Sequence, residues 1–149
     1  MLEIESEAVD HPDALALIAG SEAELSALYR PEHRYAFSPE ELIAANVYFV
    51  VARRDEQPIG CGGMAPLEGY GELKRVYVAP EGRRGGIARA IVATLEDAAR
   101  ARALPIMRLE TGAASPEAVA LYERLGYRRR PPFGSYVENG SSIFMEKAL

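Results

Sequence analysis

A turn with two arginines and two glycines stands directly between a strand and a helix, and it constrains the fold more than any other feature. The segment reads VYVAPEGRRGGIARAIVATLEDAAR, residues 76–100. The apolar strand ends at Pro80, and after the glycines Ile87, Ile91 and Leu95 repeat at helical spacing. The first N–H groups of a helix have no partner inside it and lie at the positive end of its dipole. The pattern therefore predicts a bare basic turn that leads into a helix N-terminus open to an anion.

The residues of this turn suit a phosphate. Gly85 and Gly86 have no side chain that would block the approach to the main-chain N–H groups. Positive charge and planar donors come from Arg83, Arg84 and Arg89. The nucleotide patterns G-x-x-x-x-G-K-[ST] and G-x-G-x-x-G do not occur at these glycines. The turn thus predicts a pyrophosphate site outside the simple ATP and NAD classes, with a plain surface turn and solvated arginines as the alternative.

The remaining sequence predicts a single domain of 149 residues, in which strands outnumber helices. Strands are predicted at 2–6, 47–53, 59–66, 71–78, 105–110, 127–129 and 141–149. Helices are predicted from about Pro12 to Tyr29 with a break near Gly20, from Ser38, after the glycine turn, and from Ser115. Because the strands come mainly as hairpins with helices between them, we expect a mixed α/β domain and not a doubly wound parallel sheet.

Composition limits the partners of the chain. Its formal net charge of -5 argues against nucleic acid and anionic membranes as partners. A signal peptide or an apolar run of the roughly 18 residues that span a bilayer is not apparent, so we expect a cytoplasmic protein. The single cysteine, Cys61, cannot form an intrachain disulfide and is expected to be a small buried hydrophobe. His11 and His33 are far apart without metal-ligand spacing, so no metal site is expected.

Three blocks in order resemble one family. Arg83-x-x-Gly86-x-Ala88, just after LKRVYVAP, resembles the coenzyme A pyrophosphate motif of the GNAT superfamily of N-acetyltransferases. The segments RLETG and SPEAVALYERLGY are similar to that family's later strand and its tyrosine-bearing helix, and PPFGSY with SSIFMEK resembles one bacterial branch. The match covers about residues 47–147. It implies a GNAT-type sheet, mostly antiparallel and partly splayed, of about six to seven strands flanked by about four helices.

The resemblance also implies the ligand and the residues that hold it. Acetyl-CoA would be the co-substrate, with its pantetheine arm on the main chain of β-strand residues 76–78 and its pyrophosphate on the amides of residues 84–89. The implied cofactor-binding residues are Val76, Tyr77, Val78, Arg83, Arg84, Gly85, Gly86, Ile87, Ala88, Arg89 and Ser115. Two of them depart from the usual pattern: Ser115 stands near where many members have asparagine, and Ala88 replaces a commoner glycine.

Two side chains carry the predicted chemistry. Glu72 matches the position of a glutamate that deprotonates the amine, directly or through water, and Tyr122 matches a tyrosine that protonates the departing thiolate. Such transfer needs a neutral amine and a proton donor at the thiolate, which a carboxylate and a phenol can provide. Alternation along 71–78 predicts that Glu72, Lys74, Val76 and Val78 share one face of the strand. The structural alternatives are an exposed charge at a strand end for Glu72 and a core tyrosine for Tyr122.

The acceptor is the least specified part. The resemblance implies that early helices and late loops form its pocket, which here means LYRPEHRYAF and PPFGSYVEN. The candidate residues are Tyr29, Arg30, Arg34, Phe133 and Tyr136, with ordinary loop residues as the alternative. Aromatic rings with arginines suit a small amine that also carries a carboxylate, such as an amino acid; a peptide amine is the other option. The predicted function is an N-acetyltransferase, with a non-catalytic acyl-CoA sensor as the alternative, and a homodimer is compatible with either.

Overall fold

The computed structural model describes residues 1–31 and 37–149. These residues form seven strands and four α-helices, which confirms the predicted mixed α/β class. The strands are β1 Leu2–Ser6, β2 Tyr48–Arg54, β3 Gln57–Leu67, β4 Tyr70–Val78, β5 Ile106–Gly112, β6 Arg128–Arg130 and β7 Ser142–Ala148. The helices are α1 Pro12–Leu28, α2 Pro39–Ala44, α3 Ile87–Ala101 and α4 Pro116–Arg124. One 3-10 turn, Pro80–Gly82, precedes the glycine turn.

All seven strands belong to one sheet in the order β1-β2-β3-β4-β5-β7-β6. Neighbouring strands are antiparallel except β4 and β5, which are parallel. That parallel pair is short, with Gly71 opposite Met107 and Glu72 opposite Arg108. The predicted sheet, mostly antiparallel and partly splayed, is therefore confirmed.

Each face of the sheet has its own apolar core. One core packs α3 and α4 against the sheet and includes Val50, Ile91, Leu95, Leu109 and Tyr122. The other lies under α1 and α2 and includes Ala14, Ile18, Leu42, Val51 and Cys61. Cys61 is fully buried, as expected, and burial raises the pKa of its thiol to about 12. Within the described residues, none of the helices has the length and apolar character needed to cross a membrane.

Two local predictions differ from the structure. The predicted break in α1 near Gly20 is wrong, because the helix runs through it. A Cβ at Gly20 would lie 2.9 Å from the hydroxyl oxygen of Tyr77, so this glycine permits close packing of β4 against the helix. The turn between β2 and β3 is also shorter than predicted: it is formed by Asp55 and Glu56, both with positive φ, and β3 already begins at Gln57.

Candidate active site

The sheet opens beyond the Glu72–Arg108 pair. From there β4 continues to Val78 and β5 to Gly112, and within the described residues no further register pair joins the two strands. Each strand thus turns one edge of main-chain N–H and C=O groups into the gap, and such groups need partners when they are covered. The gap is the place where an extended ligand can take the position of a missing strand.

Arg75 forms a bulge in β4 beside this gap. Its φ is +53°, and the pairing of β3 with β4 shifts register nearby. The guanidinium is buried and donates to the Ser21 hydroxyl, the Glu22 carboxylate and the Phe37 carbonyl oxygen at 2.9–3.1 Å. Because the strained backbone is held by these bonds, the bulge ties β4 to α1 and to the segment that precedes α2.

The bulge reverses the alternation of side chains along β4. Leu73, Val76 and Val78 pack with the α3 core, whereas Glu72 and Lys74 lie on the opposite face of the sheet. The prediction that Glu72, Lys74, Val76 and Val78 share one face is therefore wrong. One extra residue between Lys74 and Val76 moves every later side chain to the other face.

Glu72 is held in a buried polar cluster. One carboxylate oxygen accepts a 2.5 Å hydrogen bond from the Tyr136 hydroxyl and lies 2.8 Å from the Lys74 ammonium. Lys74 also donates to the Tyr136 oxygen at 2.7 Å and sits 3.8 Å from the centre of the Phe37 ring. Burial, with the Glu72 charge, raises the pKa of Tyr136, so its phenol stays a donor. Glu72 is only 5 % exposed, and its carboxylate is occupied by Tyr136 and Lys74.

Glu110 is a second carboxylate at the gap, and the sequence reasoning did not include it. It lies on β5 two residues past the last β4–β5 pair, and one of its oxygens accepts a 2.7 Å bond from Ser142. Burial raises its pKa and outweighs the Ser142 bond and the Lys74 charge, which lower it; the Glu72 charge raises it further. Glu110 is less buried than Glu72 and keeps its other oxygen free of hydrogen bonds from the described residues. In the sequence, Glu110 could have been recognised as the glutamate of RLETG, two residues before the end of β5.

Tyr122 reaches the same region from α4. It is 7 % exposed and meets Tyr127 edge-to-face at 5.7 Å. Burial raises the pKa of its phenol, and the negative charge of Glu110 raises it further. The two side chains are therefore electrostatic neighbours, and the Tyr122 phenol keeps its proton at neutral pH. Tyr122 is thus a buried core residue with an electrostatic link to Glu110 at the gap.

The glycine turn is shaped as an open cradle. Arg84 and Gly86 both have positive φ, at +67° and +75°, and Gly86 is the N-cap of α3. Apart from Gly86 and its two chain neighbours, no described residue has an atom within 4 Å of the position that a Cβ of Gly86 would take. The first-turn residues of α3 are Ile87, Ala88 and Arg89, whose N–H groups lack helical partners. An open N-terminus of a 15-residue helix with free space at its cap fits a diphosphate group.

Arg83 is engaged by the protein. Its Nε donates to the Val78 carbonyl oxygen at 3.0 Å, and another nitrogen bonds the Glu24 carboxylate on α1. The guanidinium also lies 5.9 Å from the centre of the Tyr77 ring. The side chain of Arg83 therefore links the turn to α1, which leaves Arg84 and Arg89 as the motif arginines without such bonds among the described residues.

Tyr29 and Ser115 meet at the end of β5. Their hydroxyl oxygens are 3.0 Å apart, although 86 residues separate them in the chain. Ser115 is the N-cap of α4, but its side chain makes no capping bond, contrary to the expectation that it caps this helix. Tyr29 also lies directly over Gly112, where a Cβ would come within 1.8 Å of the phenol oxygen. Tyr29, which is predicted for the acceptor pocket, thus contacts Ser115, which is predicted for cofactor binding.

Substitution of Gly112 by alanine is expected to displace the Tyr29 side chain. The added Cβ cannot coexist with the phenol, so the Tyr29–Ser115 bond is lost and the free energy of unfolding falls by about 1 kcal/mol. Urea denaturation measures this loss. In a Tyr29→Ala background, the same Gly112→Ala change is expected to cost little more, because the clash is gone. Equal losses in both backgrounds would show that the collision is not the cause.

Phe133 and Tyr136, two of the other acceptor candidates, form an aromatic cluster from the loop before β7. Phe133 and Tyr136 pack at 5.1 Å, and both contact Phe144. Arg108 and Arg130 stack near Phe133 and both donate to one oxygen of Glu146, which lowers the pKa of that carboxyl. Arg30 is exposed just after α1, and Arg34 lies outside the described residues. The structure thus joins Phe133 and Tyr136 to Glu72, and leaves Arg30 apart from this cluster.

Comparison with known proteins gives a consistent picture. The family described as "Acetyltransferase (GNAT) family" matches residues 16–127. An IAA acetyltransferase of Azospirillum brasilense is 40% identical over 127 residues, which cover 84% of this chain and 83% of that protein. A crystal structure of an acyl-CoA N-acyltransferase-like protein from Klebsiella pneumoniae aligns with a TM-score of 0.85 and 34% identity, covering 100% of this chain and 98% of the other.

A more distant structure shares the fold. PaiA N-acetyltransferase from Thermoplasma acidophilum, crystallised in complex with coenzyme A, aligns with a TM-score of 0.78 at 19% identity. The alignment covers 100% of this chain and 99% of the PaiA chain. At this identity the likeness concerns the arrangement of the strands and helices.

Proposed function

Because this chain belongs to the GNAT acetyltransferase family, we propose that it moves the acetyl group of acetyl-CoA directly to a primary amine. The observation that carries the proposal is the gap between β4 and β5, with an open helix N-terminus at one end and a carboxylate and a phenol beside it. β4 borders this gap from Val76 to Val78, and the main-chain groups on that side would bond an extended amide-containing arm. When bound, acetyl-CoA supplies the activated acetyl thioester.

The diphosphate would lie on the turn before α3. The amides from Arg84 to Arg89 would donate to it, with Gly85 and Gly86 leaving room for the approach. Arg84 and Arg89 add positive charge, whereas the Arg83 guanidinium acts by holding the turn against α1. Ser115, whose hydroxyl lies beside that of Tyr29 at the end of β5, would contact the ligand there.

Two proton transfers accompany the reaction. The incoming ammonium must lose a proton before its nitrogen can attack the acetyl carbon, and the leaving thiolate must gain one. We assign the first proton to the Glu72–Glu110 carboxylate pair: Glu110 receives it at the gap, and Glu72 adds negative charge from its cluster with Lys74. Tyr122 donates the second proton. The phenol is suited to this role because burial keeps it protonated.

The acceptor proposed is a small amine, such as an amino acid, with a peptide amine as the other option. The aromatic pair Phe133 and Tyr136, together with Tyr29, would form the walls of its pocket. Arg30, next to Tyr29 in the chain, would bring positive charge toward a carboxylate of the acceptor. Positive charge beside the pocket would favour an acceptor that carries a carboxylate as well as its amine.

Ligand-induced stabilisation tests this function. At about 100 times its Kd, a ligand of the native state stabilises it by about 2.7 kcal/mol. For a chain of this size, that corresponds to a rise in Tm of about 5–10 °C. We expect such a rise with CoA and none with ATP or NAD, followed by thiol release from acetyl-CoA when a panel of primary amines is added. No stabilisation by CoA would remove the proposal, whereas stabilisation without turnover on any amine would favour an acyl-CoA sensor.

A further inference from the structure

Arg54 lies on the β2–β3 hairpin, and its side chain extends to the glycine turn. It is the last residue of β2, where the tight turn Asp55–Glu56 leads into β3. Its guanidinium nitrogen Nη2 lies 3.1 Å from the position that a Cβ of Gly85 would occupy. The β2–β3 hairpin and the end of β4 lie at the same end of the strands, because Gly60 of β3 pairs with Val78. A cation outside the glycine motif is therefore placed directly against it.

Besides the Met1 amino group, which has the larger effect, the charge of Arg54 lowers the pKa of the neighbouring Asp55 carboxyl without forming an ion pair with it. Within residues 1–31 and 37–149, its guanidinium makes no hydrogen bond and no ion pair, and the residue is exposed. Asp55, the adjacent carboxylate, is bonded by the Met1 amino group at 2.9 Å. Arg83, by contrast, is taken up by Glu24 and the Val78 carbonyl. One motif arginine, Arg83, thus has a structural role, and Arg54 provides an additional cation beside Gly85.

We infer that Arg54 is a direct ligand of the CoA diphosphate, an inference that rests on the function proposed above. A guanidinium can donate two parallel bonds to phosphate oxygens, and a rigid two-residue hairpin limits the entropy lost on binding. The diphosphate is favoured over the 3′-phosphate of CoA because Arg54 touches Gly85, whose neighbours carry the unpaired N–H groups of α3. Gly85 therefore has a second use: it leaves space for the guanidinium beside the ligand.

The test is the affinity of CoA for Arg54→Gln, measured by isothermal titration calorimetry. We expect Kd to rise about tenfold, because a charge-assisted hydrogen bond to the ligand is lost. The same factor is expected with dephospho-CoA, which keeps the diphosphate and lacks the 3′-phosphate. Arg54→Lys should recover part of the affinity, since it restores the charge without the planar fork. The Tm of the ligand-free variant should equal that of the wild type, because the side chain is exposed and unpaired.

Arg129→Gln is the matched control. Arg129 is an exposed arginine on β6, at the opposite edge of the sheet, and its replacement changes the net charge by the same amount. It is expected to leave CoA affinity unchanged. Equal affinities for Arg54→Gln and wild type would overturn the inference, as would a tenfold effect that disappears with dephospho-CoA. A wild-type protein that does not bind CoA would overturn the proposed function itself.

Discussion

Tyr122→Phe is expected to lower kcat by about 10²-fold or more while the Kd for CoA stays unchanged. The substitution removes only the hydroxyl, so the packing against Tyr127 is kept and no cavity forms. What is lost is the proton donor for the leaving thiolate. Thiol release under saturating amine measures kcat, and calorimetry with CoA measures binding. A rise in KM with unchanged kcat would mean that Tyr122 only helps to bind substrates.

The pH profile and a matched tyrosine sharpen this experiment. Burial and the charge of Glu110 raise the pKa of Tyr122, so the phenol remains protonated as pH rises through the ordinary tyrosine range. The wild type should therefore show no alkaline decline from this group near pH 10. Tyr127→Phe is the control: its hydroxyl donates to buried Glu96 at 2.8 Å, so its loss should cost about 1–3 kcal/mol of stability and leave kcat unchanged. Equal losses of kcat in both variants would indicate a packing effect.

Local sequence was sufficient for the elements and for the glycine turn. Strand composition and helix-starting residues, such as Ser38 with its capping box, specify structure within a few neighbouring positions. The bulge at Arg75 could not be predicted, because its causes are bonds to Ser21 and Phe37, which are 54 and 38 residues away. Without it, simple alternation assigns Val76 and Val78 to the wrong face.

The candidate site likewise has parts that local sequence predicts and parts that depend on residues distant in the chain. The open cradle at Gly86 follows from the order strand, glycine turn, helix, and this order is visible in the sequence. The engagement of Arg83 by Glu24, the approach of Arg54 and the contact of Tyr29 with Ser115 join segments that are distant in the chain. No periodicity encodes such contacts, since they depend on how hairpins and helices are placed around the gap.

Glu110→Gln is expected to lower kcat/KM by about 10²-fold and to remove the acidic limb of its pH profile. Glu110, the proposed proton acceptor, works only when its carboxyl is deprotonated, so activity rises with pH through the pKa of Glu110. Burial raises that pKa above the ordinary carboxyl value, which places the wild-type limb at a higher pH than about 4.3. Glutamine keeps the size and the acceptor for Ser142 but cannot take a proton. The profile of kcat/KM from pH 4 to 9 with one amine measures this, once corrected for the amine's own titration.

Glu72→Gln gives the contrasting profile. It removes a negative charge that raises the pKa of Glu110 and leaves the Lys74 charge, which lowers it. The acidic limb should therefore persist and move to lower pH, while the affinity for CoA stays unchanged. If the limb disappears in Glu72→Gln and persists in Glu110→Gln, the proton acceptor is Glu72, and Tyr136 must open to admit the amine. The two carboxylates share one face of the sheet at different depths, so their pH profiles distinguish the residue that receives the proton from its electrostatic neighbour.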